Sequence, residues 1–76
     1  MDSQTIVRLA NRIGDFFEAM PDHAEALQGI VQHISRYWEP RMRRELQQRM
    51  QQGDVEGLKP IVAEALQADH SWQAQG

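Results

Sequence analysis

With 76 residues and no cysteine, the chain has room for one small domain and none of the chemistry of thiolates, so disulfides, iron–sulfur ligation and cysteine nucleophiles are excluded. A composition 41% hydrophobic and 25% charged is too apolar for wholesale disorder, and a net charge of −3 is not that of a general nucleic-acid binder. No apolar run approaches the about 20 residues needed to span a bilayer. The opening Met1-Asp2-Ser3-Gln4 lacks the basic flank and apolar stretch of a signal peptide, so a cytoplasmic protein with no membrane contact is expected.

The first helix is expected from about Gln4 to Met20, with Ser3 as its N-cap. Ile6, Leu9, Ala10, Ile13, Phe16, Phe17 and Met20 recur at helical spacing and form its apolar stripe. Gly14 lies off that stripe and costs roughly 1 kcal/mol against alanine inside a helix; a close helix approach and an incidental glycine are two open readings of it. Pro21 disfavours helical geometry at Met20 and ends the segment. The second helix opens at Asp22, three residues before Glu25 as in a capping box. Ala24, Leu27, Ile30, Val31, Ile34 and Trp38 form its stripe, and Tyr37 widens it. This width predicts a central helix touching two or three others. Arg36 in the last turn suits the helix dipole.

Pro40 is well placed to start a third helix, which is expected to run to about Gln52. Its apolar positions are only Met42, Leu46 and Met50, and Gly53 supplies a stop. A loop over 53–57 leads to a fourth helix from about Leu58 to Ala68, with Leu58, Ile61, Val62, Ala65 and Leu66 buried. The connections between the first three helices are too short to reverse the chain into long hairpins. The expected fold is therefore all-α, a small, irregular, partly orthogonal array of about four short helices. A single domain should cover residues 1–68, followed by a frayed tail over 69–76 in which Trp72 has the means to fold back onto the body.

His23, His33 and His70 never pair at helical i,i+3 or i,i+4 spacing, so no helix face offers two imidazoles to a metal. The serines lack a nucleophile-elbow context, and Gly53 and Gly57 lack the lysine and hydroxyl of a phosphate loop. The expectation is a non-enzymatic chain that binds no cofactor. What stands out is the corner from His33 to Arg44. Arg41, Arg43, Arg44 and, further on, Arg49 face only Glu45 within an otherwise acidic chain. Three of these arginines fall at a helix N-terminus, where the dipole opposes cations by roughly 0.3–1 kcal/mol each. Two readings stay open. In one, Glu39 and Glu45 neutralise the arginines while Tyr37 and Trp38 are core. In the other, Tyr37, Trp38, Arg41, Arg43 and Arg44 form a docking surface, since arginine and aromatic residues are enriched at interface hot spots.

The corner HISRYWEPRMRREL, with IVRLANRIGDFFEAMPD before it and LKPIVAEAL after it, resembles the delta subunit of soluble NAD-dependent, molybdenum-containing formate dehydrogenase. The resemblance spans about residues 4–66, and the corner is its most specific part. It implies a small accessory subunit that supports assembly, maturation or stability of the cofactor-bearing subunits. Those other subunits would hold a molybdenum (or tungsten) pterin, iron–sulfur clusters, FMN and the NAD site, and would be its partners. Two other classes remain beside this reading. One is a nucleic-acid-binding module using the third helix, and the other is a homodimer that closes its spare aromatic surface on itself.

Overall fold

The computed structural model describes residues 2–74, the side chain of Ser3 excepted. It contains four helices: α1 (Ser3–Phe17), α2 (His23–Tyr37), α3 (Pro40–Gln51) and α4 (Pro60–Ala68). No strand occurs among the described residues, so the fold is all-α.

Each helix end has a local cause. Asp2, not Ser3, caps α1: its backbone is extended and its carboxylate accepts the Thr5 N–H at 2.9 Å. That backbone N–H also holds the Asp2 carboxyl below its ordinary value, because it binds the ionised form. Aspartate competes well for this role, and Ser3 becomes the first helical residue. The other end of α1 comes sooner than expected. The helix stops at Phe17, and the residues before Pro21 form a tight turn closed by Met20 N–H donating to the Phe17 carbonyl at 3.0 Å. Asp22 caps α2 as its spacing suggests, accepting the Glu25 N–H at 3.2 Å. Past α3, Gly53 adopts the left-handed φ of 76° that favours glycine at a helix stop.

The start of α4 is shifted by two residues to Pro60, with Leu58 buried in the preceding loop. Asn11 on α1 fixes that loop from both sides. Its amide donates to the Gly57 carbonyl at 2.7 Å, and its oxygen accepts the Lys59 N–H at 2.9 Å. The Lys59 ammonium then reaches Asp15 of α1 at 2.8 Å and Glu18, which caps the end of that helix, at 3.1 Å. These two carboxylates, Asp15 foremost, raise the Lys59 pKa above its ordinary value.

The packing centre is α1, which contacts α2, α3 and α4, while α2 packs on α1 and α4. Helix α2 touches two others, within the two or three expected, but the central helix is α1 and not α2. Gly14 bears on one of the α1 contacts. A methyl group there would sit 2.5 Å from Val62 Cγ2, so the glycine permits α4 to approach α1 closely. One apolar cluster joins Ile6, Ala10 and Ile13 of α1 to Ile30, Val31 and Ile34 of α2, Leu46 of α3, and Val62, Ala65 and Leu66 of α4. Ala24 is exposed, and Ala26 takes its place on the buried face of α2.

Trp72 completes this core. It is fully buried, and its indole N–H donates to the Leu66 carbonyl at 3.0 Å. Leu66 lies in the last turn of α4, where carbonyls lack an intrahelical partner. The side chain therefore fills the core and caps a helix in the same act. The segment expected to fray thus contributes one of the largest core side chains, while Gln75 and Gly76 lie outside the described residues.

Trp72→Ala should cost about 3–5 kcal/mol, a large share of the stability of so small a domain. Trp72→Phe should cost about 1–3 kcal/mol, because the Leu66 carbonyl is left buried without a donor. Thermal melts followed by circular dichroism measure both. An alanine variant that melts with the unmodified chain would contradict the burial of Trp72.

Candidate functional site

The corner between α2 and α3 divides its side chains between inside and outside. Helix α2 ends when Trp38 turns extended, its N–H still donating to the Ile34 carbonyl at 3.1 Å. Glu39 is also extended and makes no side-chain cap, and Pro40 starts α3. This abrupt turn drops Trp38 into the core at 8% exposure and leaves Tyr37 outside at 71%. Adjacent aromatics therefore have different surroundings, and neither open reading of the pair holds whole. Trp38 belongs to the core and Tyr37 to the surface.

The arginines divide in the same way. Arg43, in the first turn of α3, donates from Nε to the Trp38 carbonyl at 3.2 Å and from Nη1 to the Trp72 carbonyl at 3.4 Å. It closes the corner and ties it to the chain end that carries Trp72. Half-buried, its guanidinium has partners within the chain, because the carbonyls at the helix corner need a donor. Arg41 and Arg44 are exposed, and neither has an acidic partner among the described residues. Glu39 and Glu45 do not pair with them. Arg49 meets Asp54 at 3.4 Å. With Arg43 and Arg49 both engaged within the chain, α3 does not present the four-arginine face that a recognition helix would need.

A second surface was not singled out from the sequence. Phe16, assigned to the core stripe of α1, is 73% exposed. It packs edge-on against Phe17 at 5.0 Å between ring centroids. Phe17 lies 6.4 Å from the His33 ring, and His33 lies 4.9 Å from Tyr37. These four rings make a continuous aromatic ridge across α1 and α2 that ends at the corner. Gly29 creates room for it, since a methyl group there would stand 2.6 Å from Phe17 Cδ1. A cleft of about 420 Å³ on this ridge is lined by Arg12, Ile13, Phe16, Phe17 and His33. A smaller depression of about 180 Å³, between Phe17, Gly29, Arg36 and Tyr37, adjoins it. One sequence signal was available: Gly29 sits mid-helix, against propensity, one helical turn from His33.

The histidines are dispersed. His23 approaches Glu64 at 3.1 Å on the surface, His33 joins the ridge, and His70 is exposed. No group of three or more metal-ligating residues occurs among the described residues, and no described helix is long and apolar enough to cross a membrane.

Separate substitutions resolve the corner. Arg43→Gln should lower stability by about 1–2 kcal/mol through the loss of charge-assisted bonds to two carbonyls. Arg41→Gln and Arg44→Gln should each stay within about 0.5 kcal/mol of the unmodified chain, on the stabilising side, because a cation is removed from a helix N-terminus. Urea titrations of the three variants test this division, and equal effects would contradict it.

No curated protein and no solved structure matches the chain significantly. The family of NADH-dependent formate dehydrogenase delta subunits, FdsD, matches over residues 5–66, which takes in most of α1, all of α2 and α3, the corner and most of α4. On a match spanning more than three-quarters of its length, the chain belongs to the NADH-dependent formate dehydrogenase delta subunit family.

Proposed function

We propose that this chain is a non-catalytic accessory subunit that acts in the cytoplasm by binding the other subunits of a formate dehydrogenase complex. Its task is to support their assembly, maturation or stability through protein–protein contact. The observation that carries this reading is the set of exposed side chains flanking the corner: Tyr37 stands out of the fold at the end of α2, and Arg41 and Arg44, early in α3, are exposed with no acidic partner among the described residues. Tyrosine and arginine bring large contact area and charge-assisted hydrogen bonds at low entropic cost, which is why they recur as binding anchors. Family membership supplies the complex in which to look for the partner.

The donor set supports a chain without a cofactor of its own. It has no cysteine with which to hold an iron–sulfur cluster, and its three histidines lie apart. The molybdenum or tungsten pterin, iron–sulfur, FMN and NAD chemistry of such a complex then belongs to the other subunits. The contribution of this chain is a surface, held rigid by a core of fixed side chains.

Capture of formate dehydrogenase subunits on the tagged full-length chain tests the reading. Tyr37→Ala combined with Arg41→Glu and Arg44→Glu should weaken capture by at least about thirtyfold, corresponding to roughly 2 kcal/mol for a hot spot. Helix content by circular dichroism should stay unchanged, because these side chains stand outside the core. Undiminished capture by this variant would refute the corner as the contact.

A further inference from the structure

The aromatic ridge has a chemistry that the corner lacks. A phenylalanine 73% exposed is costly in water unless something covers it, and Phe16 stands beside a concave, largely apolar surface rather than alone. The two charged residues that line the cleft and its adjoining depression are Arg12 and Arg36. Neither has an acidic partner among the described residues. No carboxylate lines either hollow; Asp15 of α1 and Glu18 just past its end are engaged by Lys59 of the loop before α4. In a chain of net charge −3, this is a local apolar groove with a cationic rim.

Resting on the accessory-subunit reading above, we infer that this groove receives an acidic, amphipathic segment of one of the other subunits. An apolar side chain of that segment seats against Phe16 and Phe17, and its flanking carboxylates pair with Arg12 and Arg36. The cleft, about 420 Å³, is an open hollow within the size range of ligand-binding clefts, so it has room for an apolar side chain. Gly29 keeps the floor of the groove low by letting the Phe17 ring lie on the backbone of α2. Charge decides between occupants. In a two-fold symmetric dimer of this chain the groove would face itself, setting Arg12 and Arg36 against the same arginines of the other copy, which is repulsive. An acidic segment reverses that sign, and both arginines gain partners as the groove is dried.

The test uses the full chain, co-expressed with the other formate dehydrogenase subunits, carrying a benzophenone amino acid in place of Phe16. Irradiation should join position 16 to a peptide of another subunit in which apolar residues alternate with Asp or Glu. In parallel, Arg12→Glu with Arg36→Glu should weaken capture of the complex at least about tenfold, while Arg12→Lys with Arg36→Lys retains most of it. Phe16→Ser should weaken capture with helix content unchanged. A cross-link to a second copy of this chain, or to a segment without acidic residues, would overturn the inference. So would the charge-reversed variant capturing the complex as the unmodified chain does. If the unmodified chain captures no formate dehydrogenase subunit, the accessory-subunit reading itself fails, and this inference with it.

Discussion

The fold depends on where Trp72 goes. A four-helix chain of 76 residues with no covalent staple has little apolar area to spare, and α3 contributes only one fully buried side chain, Leu46. The indole supplies the missing volume from outside the helices. Its N–H satisfies the Leu66 carbonyl at the end of α4, and its own backbone carbonyl receives Arg43 from the start of α3. One residue near the chain end therefore joins the beginning of one helix to the end of another. The same guanidinium holds the Trp38 carbonyl, which extends this tie to the end of α2.

That arrangement sets what the corner can offer a partner. Because Arg43 and Trp38 are needed inside, the side chains left outside are Tyr37, Arg41 and Arg44. Because α1 stops at Phe17 rather than Met20, and the chain turns before Pro21, Phe16 is left over the solvent face of the α1–α2 seam. The two exposed surfaces meet at Tyr37, whose ring lies tilted against His33 at the end of the aromatic ridge. The inner set of residues fixes the backbone that carries the outer set, which lowers the ordering cost of the proposed contact.

Much of this was legible in the residues. The proline and glycine punctuation, the Asp22 cap and most of the apolar stripe of α2 follow from local rules that tertiary packing reinforces, whereas the closeness permitted by Gly14 is decided by Val62 on α4. What escaped had specific causes. Ser3 and Asp2 are both competent caps, and spacing alone does not rank neighbours. Ala24 and Ala26 are equally apolar, and only the position of α4 decides which is covered. Phe16 fits the helical period of α1, yet it is the adjacent Phe17 whose ring lies against Gly29 of α2, and Phe16 is left in solvent. Tyr37 and Trp38 are adjacent large aromatics, and the backbone turn at Trp38 sends one in and one out. Arg43 is identical in type to Arg41 and Arg44, and its internal role depends on a carbonyl 29 residues away in the chain. Long-range polar contacts of this kind leave no periodic trace in a sequence.

The central claim is that large side chains here fall into an internal set, Trp38 and Trp72, and an outward set, Phe16 and Tyr37, the second reserved for a partner. Hydroxyl-radical footprinting of the chain, alone and within the formate dehydrogenase complex, reads both sets at once. In the isolated chain, Phe16 and Tyr37 should be oxidised readily while Trp38 and Trp72 stay protected despite the greater intrinsic reactivity of indole. In the complex, Phe16 and Tyr37 should become protected as well. Oxidation of Trp72 as fast as Tyr37 in the isolated chain, or unchanged oxidation of Phe16 and Tyr37 in the complex, would contradict this division.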